Sequence, residues 1–315
     1  TLLTLARRHN IALPADDEDG IRQWYTFTDF AHFVQIYIKI SECIRTPDDI
    51  ELLAREFLAG QAAQNIRHTE FTYTPYTHYM QKGLSFEAQL GALNRARAWA
   101  EAEFGITSGI ITDIAREMTP EKGLVTAEWA VAAMHDGVVA LGLGGNEAKH
   151  PPDKHEPSFR LAQQAGQTCI LHAGETAGAE SIWGALRVGQ SVRLGHGVRC
   201  LEDPALVDYL REHQVPLEVC PTSNICLGVF PRMEDHPLPR LIAEGLYVTL
   251  NSDDPPMFNT TLTDEYLMAA RVFGLDVDGL TQLVLNGVRA ARLPAERKAA
   301  MESAFKAEFA RLRAQ

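Results

Sequence analysis

Cysteine is scarce and unpatterned: five residues, Cys43, Cys169, Cys200, Cys220 and Cys226, with no Cys-x-x-Cys pair. An odd, scattered set is no disulfide framework and points to free thiols. No apolar run reaches the roughly 18 to 20 residues that a membrane helix needs, and residues 1–13 hold no signal-peptide core. A cytoplasmic protein without membrane contact is expected. Positive charge is also short: 29 Lys and Arg stand against 41 Asp and Glu, giving a net −12 with no basic cluster. That argues against nucleic acid, which requires a positive stripe, and favours a small-molecule partner. Low-complexity segments, Ser/Gly linkers and sequence repeats are absent, so one domain spanning residues 1–315 is expected.

What the chain does contain is a recurring pattern. With 46% hydrophobic and 22% charged residues it can bury a sizeable core. Seven short apolar runs rich in β-branched residues appear: Ile66 to Phe71, Ile106 to Asp113, Val138 to Leu143, Thr168 to Leu171, Val192 to Gly195, Leu217 to Cys220 and Leu246 to Leu250. Most are followed by helical spacing, at the roughly 30-residue interval of a strand–helix unit. Such alternation predicts a parallel sheet covered by helices. Seven units without a break favour a closed barrel over an open sheet, and no Gly-x-Gly-x-x-Gly marks a dinucleotide fold. Helices are expected over Ser85 to Glu103 with Ser85 as N-cap, from Glu180 to Leu186, and over Pro294 to Ala314 on the outside. A (β/α)8 TIM-type barrel needs eight strands, whereas residues 1–9 have a helical pattern; the first strand is absent from the chain.

The ends of the last four runs carry the chemistry. They break into His172-Ala-Gly-Glu175, Gly195-His196-Gly197, Cys220-Pro-Thr-Ser-Asn224 and Ser252-Asp253-Asp254-Pro255. Barrel enzymes keep reactive groups at the C-terminal ends of their strands. Two histidines, a glutamate and two adjacent aspartates at neighbouring ends are the inventory of a divalent-metal hydrolase, and suit Zn²⁺. His68 and Glu70, sharing one face of the first run, are expected to point into a barrel layer or its rim. His78, His150, His155 and His236 are expected in solvated loops, and Trp183 in helix packing.

These four motifs, in order and spacing, together with Gly142-Leu-Gly-Gly145-Asn-Glu147, resemble the adenosine and adenine deaminases of the metal-dependent amidohydrolases. The resemblance implies a zinc-dependent hydrolytic deamination of a 6-aminopurine nucleoside, adenosine or a 5′-modified adenosine, with one Zn²⁺ per chain. It implies that His172 and Asp253 are metal ligands and that Glu175 gives a proton to purine N1. It implies that His196 orients the attacking water and takes its proton or stabilises it electrostatically, while Asp254 bonds at N7 and the Gly145 N–H at N3. The paired His-x-E and Pro-Cys-x-x-Cys signature of nucleic-acid-editing deaminases is missing.

Two further ligands in this family come from a His-x-His at the end of strand one. No His-x-His occurs in the chain, and an upstream segment is expected to supply it. Asn146 stands where adenosine deaminases commonly have aspartate, which bears on substrate rather than on reaction. Glycine before His196 resembles the nucleoside branch, since the adenine branch usually has aspartate there. Pro255 to Leu262 resembles the branch acting on aminodeoxyfutalosine in menaquinone synthesis. Alternatives are therefore aminodeoxyfutalosine deamination, adenine deamination, or a metal-poor purine-binding barrel.

Overall fold

Four helices precede the first strand: α1 (Leu2–Arg8), α2 (Glu18–Trp24), α3 (Phe30–Ser41) and α4 (Pro47–Ala63). Each start from α2 onward is written locally. The Asp17 and Asp29 side chains accept from the Gly20 and His32 amides, and Thr46 with Asp49 forms a capping box in front of Pro47. Asp49 is fully buried and also takes Arg8 at 2.5 Å and His9 at 2.7 Å, fastening α1 to α4. The computed structural model describes residues 1–315 throughout.

Seven strands follow: β1 (His68–Tyr73), β2 (Thr107–Ala115), β3 (Val138–Gly144), β4 (Cys169–Ala173), β5 (Arg193–His196), β6 (Leu217–Val219) and β7 (Val248–Leu250). All neighbours are parallel and lie in chain order. Helices intervene between successive strands, so the chain folds as a TIM-type (β/α)8 barrel lacking its first strand. No ladder joins β7 to β1, and a strand's place lies open between them. β1, β2 and β4 each run two residues beyond the apolar runs; on β1, Tyr73 is held by its hydroxyl donating to Gln89 at 2.7 Å.

The main core lies between sheet and helices. Ile110, Ile114, Leu141, Leu143, Leu171, Leu194 and Leu217 from the strands meet alanines such as Ala92, Ala96, Ala127 and Ala130, small enough for close helix approach. The helix Phe86–Phe104 starts at Ser85, whose hydroxyl caps the Ala88 amide, and Ala179–Arg187 begins one residue before Glu180. Ala295–Arg313 buries none of its residues, an outer helix.

Three histidines depart from the solvated positions that their loop-like context suggests. His78, His155 and His236 are buried, because the segments after the strands fold over the barrel instead of extending into water. Burial pushes the His78 imidazole down to about 4. No helix is long and apolar enough to cross a membrane.

Candidate active site

The C-terminal ends of β4 to β7 bring the motif residues into one bowl. His172 closes on His196 with ring centres 5.5 Å apart, and His196 Nε2 lies 3.7 Å from both Glu175 Oε1 and Asp253 Oδ2. Backbone strain aims two of these groups. His196 and Asp253 adopt left-handed φ values of 60° and 56°, a region that non-glycine residues enter uncommonly. Asp253 is further held by the Ser223 hydroxyl, which donates to its Oδ2 at 2.7 Å.

Burial, the Asp253 carboxylate and Glu147 raise the Glu175 carboxyl to about 8, against the opposing pull of His172 and Arg116. A carboxylic acid that keeps its proton near neutrality is suited to proton donation. Burial and the carboxylates Asp253 and Glu175 also raise Asp254. A protonated Asp254 can donate a hydrogen bond.

Glu175 sits on a loop gripped from below. Glu147 accepts the amides of Glu175 at 3.0 Å, Thr176 at 2.8 Å and Ala177 at 3.0 Å, and also that of Gly174. Burial raises the Glu147 carboxyl, but the Ser181 hydroxyl, the Ala177 and Gly174 amides and Arg116 outweigh it and hold the group ionised. Arg116, itself 1% exposed, donates to the carbonyls of His172 and His150. On the turn after β3 Gly145 has φ 99°, a backbone conformation that favours glycine.

Metal-donor chemistry is present. His196, Cys220 and Asp253 offer atoms within 4.8 Å of one another, with the His172 ring alongside but outside that group. Cys220 is the poorest donor, since burial raises its thiol well above the ordinary range and its Sγ donates to the Glu218 carbonyl at 3.3 Å. Imidazole and carboxylate remain, and they fit zinc.

Several lining residues escape motif reasoning. Tyr37 on α3 stands at the rim of the bowl, 41% exposed as a residue; desolvation of its hydroxyl end, then Asp254, Asp113 and Asp253, raise its phenol. Asp113 at the end of β2 is buried with Oδ1 unpaired, and burial raises it to about 6. Glu147 had a visible signal in the Gly-rich motif and Asp113 in its place at the end of the second apolar run; Tyr37 had none. His68 and Glu70 pair at 3.1 Å near the N-terminal ends of the strands, away from the bowl. Trp183 packs outside, its Nε1 donating to Asp203 at 2.8 Å.

The adenosine deaminase family profile matches residues 1–307. The chain belongs to the adenosine deaminase family. It is a hydrolytic deaminase of the metal-dependent amidohydrolase barrels, acting in purine metabolism. It is 41% identical over 301 residues to aminodeoxyfutalosine deaminase of Streptomyces avermitilis, covering 94% of this chain and 83% of the relative. Adenine deaminase from Arthrobacter aurescens superposes with a TM-score of 0.92 at 33% identity, covering 97% of this deaminase and 93% of that chain. A Zn-bound amidohydrolase from Burkhoderia ambifaria superposes with a TM-score of 0.86 at 25% identity, covering 99% and 86%.

Proposed function

We propose that this deaminase converts aminodeoxyfutalosine, a 6-aminopurine nucleoside extended at the 5′ position, to its 6-oxo product. Water supplies the new oxygen at C6 and the amino group leaves as ammonia. The deamination reading is carried by Glu175, a buried acid raised to about 8 and set 3.7 Å from the His196 ring at the strand ends. The 41% identical relative bears on the substrate, as does Gly195. A Cβ at Gly195 would come to 3.0 Å from the His172 ring, so the aspartate usual in the adenine branch would require that ring to shift. With the 41% identical relative, this narrows the expectation from the motifs, adenosine or a 5′-modified adenosine with aminodeoxyfutalosine deamination as an alternative, to the 5′-extended nucleoside.

In this reading His172 and Asp253 would hold one Zn²⁺, which when bound supplies a water acidic enough to be a nucleophile near neutral pH. Glu175 gives its proton to purine N1, which draws electrons from C6 and readies it for attack. Asp254, protonated, donates to N7, and the Gly145 N–H donates to N3. The purine is thereby held at three ring nitrogens with C6 facing His196. Burial of Glu175 lowers the dielectric around it, which strengthens its contact with the base.

Steady-state ammonia release on aminodeoxyfutalosine, adenosine, methylthioadenosine and adenine tests the proposal. The expected kcat/KM on aminodeoxyfutalosine exceeds the others by at least about tenfold, a margin that one or two hydrogen bonds or an apolar contact supplies. Adenine as the one good substrate would overturn it and return the reading that the Arthrobacter aurescens structure favours.

A further inference from the structure

His196 is joined to a buried chain of hydrogen bonds that the catalytic motifs do not announce. The chain starts from a backbone group whose polarity cannot reverse: the Leu238 N–H donates to His236 Nδ1 at 3.1 Å. With its Nδ1 lone pair engaged, a neutral His236 carries its proton on Nε2. Burial, then the neighbouring His196, pushes His236 down to about 3, so the ring is neutral near physiological pH. His236 Nε2 therefore donates to Asn224 Oδ1, 3.1 Å away. The other end of that amide, Nδ2, donates to His196 Nδ1 at 3.3 Å. Asn224 is 0% exposed, His196 2% and His236 3%, so water does not compete for these bonds.

We propose that Asn224 and His236 are positioning residues that fix the tautomer of His196, placing its ring proton on Nε2, the nitrogen that faces Glu175 and Asp253. The motifs left His196 two roles, taking a proton from the attacking water or stabilising it. The relay selects the second. With Nδ1 occupied by the Asn224 amide and Nε2 already protonated, His196 points an N–H donor into the bowl and has no free lone pair to receive a proton. The proton of the attacking water then goes to the Asp253 carboxylate, 3.7 Å from His196 Nε2, and His196 steadies the oxygen as charge develops on it. This inference rests on the reading of the bowl as a deaminase site for its kinetic consequence, but not for the tautomer itself.

The decisive experiment is nitrogen-15 NMR of the full chain with zinc bound and its histidines labelled, the His196 signals being assigned by their loss in His196→Asn. The expected spectrum shows His196 Nδ1 bare and Nε2 protonated, and a proton found on Nδ1 overturns the proposal. Asn224→Asp replaces the donor by an acceptor and is expected to move the His196 proton to Nδ1. An unchanged tautomer in that folded variant also overturns it. In Asn224→Asp, kcat for ammonia release should fall at least about tenfold while KM stays within about threefold, since the lost contact acts on developing charge. A KM rise at unchanged kcat counts against the positioning role. Because the spectrum is recorded without substrate, a parent protein that deaminates no purine would remove the functional reading while leaving the tautomer decided.

Discussion

Glu175 shares its bowl with Asp253, Asp254 and Glu147, and the cost of crowding carboxylates out of water falls on those without a counter-charge. Glu147 has four amides with Arg116 and stays ionised; Glu175 has no such amides, burial, Asp253 and Glu147 outweigh the pull of His172 and Arg116 on it, and it holds its proton. Glu175→Gln removes the transferable proton while keeping the shape. Turnover should fall by about 10² to 10⁴, the usual worth of a positioned general acid, while the zinc content of the purified variant is unchanged. Near-normal ammonia release would take Glu175 out of the mechanism. The same group governs stability in the metal-free chain. A folded-state pKa raised from 4.5 to about 8 stabilises the protein below the unfolded value and is lost as pH rises through the folded one. In chelator-treated protein, Glu175→Gln should therefore gain thermal stability over the parent between about pH 5 and pH 8. The slope of that gain is at most about 1.4 kcal/mol per pH unit. Motif chemistry gave these residues because each lies next to its strand end in sequence. It passed over Asp113, which lies beside its strand end but in none of the four motifs, and was silent on Tyr37, whose place depends on how α3 lies over the barrel.

At the scale of single elements, β3 shows why sequence spacing alone under-describes a strand. Gly142 reads as part of the apolar run Val138 to Leu143 and Gly144 as its boundary, yet their missing side chains make room for Asp113 on β2. A Cβ at Gly142 would come within 2.7 Å of Asp113 Oδ1, and one at Gly144 within 2.9 Å of Oδ2. Gly142→Ala should cost about 1 to 3 kcal/mol through this overpacking and displace Asp113 from the bowl. Gly60 on α4 is the control, since nothing lies within 4 Å of its built Cβ. Gly60→Ala should stabilise by about 0.5 to 1 kcal/mol. Urea unfolding of both variants checks the pair, and equal effects of the same sign would contradict the packing argument. Strand positions were legible because β-branched runs and caps such as Ser85 act locally. The burial of His236 was not, because it comes from the Leu238 amide and the Asn224 side chain, contacts made only after folding.

Over the whole molecule, the two ends of the barrel divide the work, with catalysis at the C-terminal ends of the strands and cohesion at the N-terminal ends. Parallel order, helix alternation and the count of seven strands could all be read from the spacing of apolar runs. What the spacing could not show is how β1 is tied to the far side of the sheet without a ladder to β7. Arg193, on β5, supplies this tie. Its guanidinium lies 2.7 Å from Glu70 of β1 and 2.5 Å from Glu218 of β6, and donates to the Ala290 carbonyl at 2.9 Å. Burial raises the Glu70 carboxyl, but His68, Arg193 and the Arg292 amide more than offset it and hold the group at about 2. A folded pKa lowered from 4.5 to about 2 contributes stability that is present above the unfolded value and lost as pH falls through the folded one. Arg193→Met removes the guanidinium from buried Glu70, leaving it His68 and the Arg292 amide, and from half-buried Glu218, and should cost up to about 3 kcal/mol at pH 7. The difference in thermal midpoint between parent and variant should shrink as pH falls from about 4.5 towards 2. Activity per folded chain at 25 °C should be unchanged, because this cluster lies at the opposite end from Glu175. A pH-independent difference would show that Arg193 acts through packing of its stem, and lost turnover in folded protein would show that the two ends of the barrel are coupled.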